Sequence, residues 1–174
     1  MRGAVAVAAR GLRLNLGCGP RRLPGYVNVD REDHDLRQFP WPWPDGSASE
    51  VLMEHVLEHL PDTLATAEEV LRVLEPGGRW AGAVPYAFSE SAVNEPDHVR
   101  YLTDTSVRRI AEMVGFEVVS VRLATFDDVS RLYRLRSLIP FRGLLRHMLI
   151  NMYDEVRFEL RKPNRPARRL VYVR

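Results

Sequence analysis

The segment Leu12-Arg13-Leu14-Asn15-Leu16 runs directly into Gly17-Cys18-Gly19-Pro20. A short apolar run that ends in glycine reads as a buried strand closed by a tight turn. Glycines one residue apart let a ligand approach the backbone, because side chains there would clash. A second strand reads at residues 26–30 and ends in an acid, Asp30. In an open α/β sheet, ligands lie beyond the carboxyl ends of the strands. There an acid can accept hydrogen bonds from both hydroxyls of a ribose. A dinucleotide fingerprint needs a third glycine, where this chain has Arg22, and no Gly-Lys-Ser/Thr phosphate loop is present. An adenosine ligand without a phosphate fits better.

The rest of the chain extends the α/β pattern. Residues 39–46, Phe-Pro-Trp-Pro-Trp-Pro-Asp-Gly, read as a loop, since three prolines and an Asp-Gly turn exclude regular structure. Residues 51–53 read as a short strand, and residues 56–60 as a helix start interrupted by Pro61. Helical spacing of Leu64, Ala67, Val70, Leu71 and Leu74 places a helix over 63–74, capped by Asp62 or Thr63 and stopped by Pro76-Gly77-Gly78. A strand over 79–84, a polar loop over 86–99, a helix over 103–114 and a strand over 116–123 follow. The order predicts a mostly parallel sheet. Residues 129–150 read as two short amphipathic helices broken at Pro140, and 155–161 and 169–173 as two further strands. At 174 residues the chain reads as one domain, with a core over 12–123 and a basic extension over 124–174.

Charge divides the chain. Residues 131–174 carry 12 basic and 3 acidic residues, whereas the remainder carries 13 basic and 20 acidic. The arginine-rich tail is read as a solvated face, or as a partner for the acidic front half, rather than as a nucleic-acid or membrane-surface site. The single cysteine, Cys18, excludes an internal disulfide and fits a reducing compartment. The small apolar stretch at residues 1–9 is too short for a signal peptide or a span, so the expected location is cytoplasmic.

Taken together, several stretches resemble a class I S-adenosylmethionine (SAM) dependent methyltransferase of the small type 11 sort. They are Leu-Asn-Leu-Gly-Cys-Gly-Pro (14–20), Val-Asn-Val-Asp (27–30) and Trp-Pro-Trp-Pro-Asp-Gly-Ser (41–47), with Glu-His-Val-Leu-Glu-His-Leu (54–60) and Glu-Val-Leu-Arg-Val-Leu-Glu-Pro-Gly-Gly-Arg-Trp (69–80) after them. Asp97-His98 and Gly115-Phe116-Glu117 close the match, which covers about two-thirds of the chain in the family's order. The resemblance implies a Rossmann-like sheet and SAM as cofactor. It places Gly17, Cys18 and Gly19 under the methionine part, flanked by Asn15 and Pro20. Asp30, with Arg31 beside it, would hold the ribose, Asp35 and the backbone of Leu36 would meet the adenine, and Glu54 and His55 would face the sulfonium and the substrate.

Two departures from the family pattern stand out. Only five residues separate Gly19 from Gly25, and four separate Asp30 from Asp35. Parallel crossovers normally take a dozen residues and a helix, so both early helices are expected to be lost. An apolar sheet face left wet costs about 25 cal/mol per Å2. Cover by residues 129–150, or by a second copy of the chain as a homodimer, is therefore expected. Shortened forms of this kind point by analogy to a small-molecule or sugar acceptor.

A hydroxyl acceptor needs a base. His98 is the first candidate, oriented by Asp97, and His55 the second. His59 reads as a core residue and Glu58 as a solvated one. His55 and His59 have metal-ligand spacing, but no third ligand is evident, so no metal is expected. Tyr86, Phe88 and Trp43 are candidates for lining the acceptor pocket. Two rival readings are a SAM-fold binding module without catalysis and a nucleic-acid-binding protein that uses the arginine tail.

Overall fold

The computed structural model describes residues 11–125, 138–146 and 151–165. Its strands are β1 (Leu12–Leu16), β2 (Val27–Val29), β3 (Ala48–Glu54), β4 (Leu74–Pro85), β5 (Glu117–Ala124) and β6 (Glu155–Arg161). Its α-helices are α1 (Thr63–Val73), α2 (Glu90–Val93), α3 (Asp104–Val114) and α4 (Arg142–Leu145), and a 3-10 turn spans Leu57–His59. The sheet order is β2-β1-β3-β4-β6-β5. β2, β1, β3 and β4 run parallel, and β6 is antiparallel to both β4 and β5. From β1 the chain moves outward to β2 and then back to the other side of β1 for β3. The order therefore reverses beside β1, which sets a ligand crevice at the carboxyl ends of β1 and β3.

Local signals account for the two long helices. The Asp62 carboxylate accepts from the Ala65 N–H at the start of α1. Thr103 and Ser106 form a reciprocal capping box on α3, and Gly115 ends it in the left-handed conformation (φ 98°). α1 buries Ala67, Val70 and Val73, and α3 buries Val107, Ile110, Ala111 and Val114. Together they share a core with Leu14 and Leu16, Val51 and Met53, Trp80 and Val84, and Val156, Phe158 and Leu160 of the sheet. Trp80 stacks against Phe116 and Phe158 at its centre. β4 begins directly at the end of α1, and Pro76-Gly77-Gly78 forms an irregularity inside it rather than a gap before it.

The alternate residues of the strands build the opposite face, which mixes charged residues with Leu52, Ala81 and Ala83. Arg13, Glu50, Arg79 and Arg161 lie in one row across four strands. Glu50 pairs with both Arg13 and Arg79, accepts from the Tyr26 hydroxyl, and Arg79 reaches on to Glu159. The face is therefore less apolar than expected, since a charged row crosses it and its arginines reach water. The segment 129–150 lies mostly outside the described residues. In its described part Leu138, Phe141 and Leu144 are exposed, and Arg146 pairs with Asp104 of the acidic front half. The strand expected at 169–173 lies outside the described residues as well.

Both early helices are absent, as the spacing requires: residues 17–26 and 30–47 contain no helix. Two asparagines hold the first crossover instead. Asn15 Nδ2 donates to the Arg21 carbonyl and to Asn28 Oδ1. Asn28 in turn accepts from the Leu23 N–H and donates to the Leu23 and Tyr26 carbonyls. The second crossover is fastened to α1. Arg72 donates to the Trp41 and Trp43 carbonyls, and Glu69 accepts from the Trp41 N–H. Among the described residues no helix is long and apolar enough to cross a membrane.

Candidate active site

A cleft of about 540 Å3 opens at the crevice, lined among others by Gly17, Asp30, His34, Asp35, His55 and His59. That size suits a small ligand or cofactor. A second hollow of about 370 Å3 lies beneath α1 and α3 near Lys162, at the opposite ends of the parallel strands.

The glycine loop forms the floor. Gly17 sits at φ 65° and Gly19 at φ 48°. A Cβ on Gly17 would lie 2.5 Å from Val56 Cγ2, so the floor and the start of the 3-10 turn touch only because that residue is glycine. The buried Cys18 ties the loop to β2 through its N–H to the Val29 carbonyl. Asn15 lies behind the loop, where it holds the loop's return, and Pro20 is exposed.

One wall follows β2. Asp30, Arg31, Asp35 and Leu36 all line the cleft. Asp30 accepts from the Arg31 N–H. Arg37 grips Asp35 through both carboxylate oxygens and holds its carboxyl well below the usual carboxylate range. The Leu36 carbonyl is taken by the Trp41 indole. His34 joins this wall, edge-on to Trp43, with Nε2 buried and without a hydrogen-bond partner among the described residues. Nothing in its loop marked it beforehand.

The other wall follows β3. His55 adopts a left-handed conformation (φ 55°) and is pinned by its N–H to the Ala83 carbonyl. Such a conformation is uncommon for a non-glycine residue and clusters at functional sites. Its ring lies 3.3 Å from Glu155 and 3.4 Å from Glu58. Those carboxylates, Glu155 foremost, push its pKa up to about 9. His55 is therefore a cation at neutral pH and not a base. Glu54 pairs with Arg21 and lies outside the cleft lining.

The loop 94–102 docks onto this wall. The Glu58 carbonyl accepts from the N–H groups of Val99 and Arg100, and the Arg100 guanidinium donates to the Pro61 carbonyl. His98 is thereby set against His59, with ring centroids 4.8 Å apart. Three readings change here. Asp97 pairs with His59, not His98. His59 lines the cleft instead of the core, and Glu58 is buried instead of solvated. Tyr86, Phe88 and Trp43 are not among the cleft-lining residues: Tyr86 is buried, Phe88 is exposed, and Trp43 packs on Trp41 and His34.

The architecture matches known proteins. A family model described as a methyltransferase domain matches residues 9–121. A probable S-adenosylmethionine-dependent methyltransferase of Mycolicibacterium smegmatis is 33% identical over 97 residues, 53% of this chain. The chain spans 37% of that relative's length. A SAM-dependent methyltransferase from Archaeoglobus fulgidus superposes with a TM-score of 0.63 at 16% identity, over 89% of this chain and 87% of that one. Haemonchus contortus phosphoethanolamine N-methyltransferase 2, solved with S-adenosyl-L-methionine, gives 0.57 at 15% identity, over 91% and 50%. The chain belongs to the methyltransferase domain family, and its fold is that of the SAM-dependent methyltransferases it superposes on.

Proposed function

We propose that this chain transfers a methyl group from SAM to a hydroxyl of a small-molecule or glycosyl acceptor, which enters at the His55–His59–Asp97 end of the cleft. The observation that carries the reading is the continuity of the cleft, from a carboxylate wall suited to a nucleoside to a histidine wall suited to an acceptor. SAM, when bound, supplies a methyl group on a positive sulfonium.

The residues present fit that cofactor. The Gly17-Cys18-Gly19 backbone would run beneath the methionine part, with Asn15 and Pro20 shaping its return. The Asp30 carboxylate, beside Arg31, would accept from the ribose hydroxyls, and Asp35, Leu36 and His34 would flank the base. The main contribution of the chain is alignment. His55, positive between Glu58 and Glu155, fixes the wall beside the reacting groups. Of the two histidines considered as bases, His98 keeps a ring nitrogen free, although its neighbours Asp97 and Val99 line the cleft and it does not. Its Nδ1 faces the Ala92 carbonyl at 2.8 Å, which leaves the lone pair on Nε2.

Titration calorimetry with SAM and with its demethylated product tests the reading. Both should bind one to one. Asp30→Ala should weaken each by about 1.5–3 kcal/mol, the worth of hydrogen bonds to a charged group. Absence of binding by either compound would overturn the proposal, and unchanged affinity in Asp30→Ala would remove the ribose role.

A further inference from the structure

Glu58, His59 and His98 each offer a ligand atom, and these three atoms lie within 4.8 Å of one another. Their surroundings prepare them for a cation. His59 Nδ1 faces the Asp97 carboxylate at 3.1 Å, and His98 Nδ1 faces the Ala92 carbonyl at 2.8 Å. Each acceptor fixes the ring proton on Nδ1 and so leaves the Nε2 lone pair bare. Metal-binding histidines are commonly oriented in this way, with the second nitrogen donating to a carboxylate or a backbone carbonyl.

Glu58 provides the independent observation. Its side chain is only 2% exposed, and neither carboxylate oxygen has a hydrogen-bond partner among the described residues. The nearest positive group, His55 Nδ1, stands 3.4 Å from Oε1, which leaves Oε2 unclaimed. A buried carboxylate without hydrogen bonds is costly, and here it sits beside two imidazoles, each offering a ring nitrogen within 4.8 Å. We infer that Glu58, His59 and His98 form a divalent-cation site behind the wall of the cleft, which His59 lines. Two imidazoles and a carboxylate suit zinc or another first-row ion, and three protein ligands leave room for an exogenous one. Ligands of a tetrahedral zinc ion lie about 3.4 Å apart, so the trio must close by about an ångström.

His59 and Asp97 also line the cleft, so an exogenous ligand would come from the acceptor side. An oxygen of a hydroxyl acceptor suits that place, a choice that rests on the proposed methyl transfer. His98 then acts as a ligand and not as a free base.

The test uses the chain without a histidine tag, stripped of metal. Zn2+ should bind one to one with a micromolar Kd or tighter by calorimetry, and Co2+ should give visible absorption bands that Zn2+ displaces. Glu58→Gln, His59→Ala and His98→Ala should each weaken Zn2+ tenfold or more. Equal Zn2+ affinity in all three variants, or no Zn2+ binding by the parent chain, would overturn the site. If a variant fails to fold by circular dichroism, anomalous scattering at the zinc edge from crystals of the parent chain decides. A peak among the three side chains supports the site, and a peak elsewhere overturns it. SAM calorimetry on the metal-free chain keeps the two proposals apart. SAM binding without Zn2+ binding removes only the metal site, whereas Zn2+ binding without SAM binding removes only the methyl-transfer reading.

Discussion

At the scale of single residues, Gly17 shows how a constraint on the chain becomes a feature of the site. It holds φ 65° at the end of β1, and its α-carbon faces Val56. Alanine there meets two penalties. The left-handed backbone costs about 1–2 kcal/mol, and the overlap with Val56 about 1–3 kcal/mol more. Gly17→Ala should therefore lower the unfolding free energy in urea by the sum of both. In a Val56→Ala background only the backbone part should persist. An equal loss in both backgrounds would show that the overlap plays no role. Gly19 has a positive φ too, but open space around it, so alanine there should cost the backbone part alone.

Elements show the same logic at longer range. Asn28 makes four hydrogen bonds across the helix-free crossover. Asn28→Ala strands the Leu23 N–H and carbonyl and takes one of the two acceptors of the Asn15 amide, a loss of about 1–3 kcal/mol. The Leu23 amide should then lose its protection from hydrogen exchange, while amides in α3 keep theirs. Retained protection at Leu23 would mean that the turn holds itself. Sequence reasoning reached the helices because their signals are local: Asp62, Thr103, Gly115 and the apolar stripe each sit inside the element they define. It reached the shortened crossovers by counting residues. It did not reach what replaces them, since polar residues inside strands, such as Asn15 and Asn28, carry no periodic signal. Glu58 and His59 were misjudged for a related reason. Their burial depends on a loop 40 residues further on, and the third histidine that gives His59 its partner lies in that loop. The spacing of His55 and His59 raised the question of a metal, and His98 was in view as a base, but only the docking of 94–102 puts it beside His59.

On the scale of the whole molecule, the sheet has one apolar face and one crossed by a charged row, which lowers the cost of losing two helices. The period-2 placement of Arg13, Glu50, Arg79 and Arg161 was present in the sequence, yet the apolar alternates dominated the reading of each strand. Glu50 is the centre of that face. Burial works against its charge, but Arg79, Tyr26 and Arg13 outweigh burial and hold its pKa below the usual 4.5. A carboxylate with a depressed folded pKa stabilises the fold above its unfolded pKa, and that contribution is lost as pH falls through the folded value. Its arginine partners are nearly half exposed, so screening by solvent limits the effect. Glu50→Gln should cost about 1–2 kcal/mol at pH 7, within the range for hydrogen bonds to a charged group. Chemical unfolding at a series of pH values should then show the parent chain and the variant beginning to converge below about pH 4.5 and meeting once the pH passes Glu50's lower folded value. A constant difference between pH 7 and pH 3 would mean that shape rather than charge makes Glu50 matter. Convergence would show that the exposed face is held by its charged row, as a sheet stripped of its early helices requires.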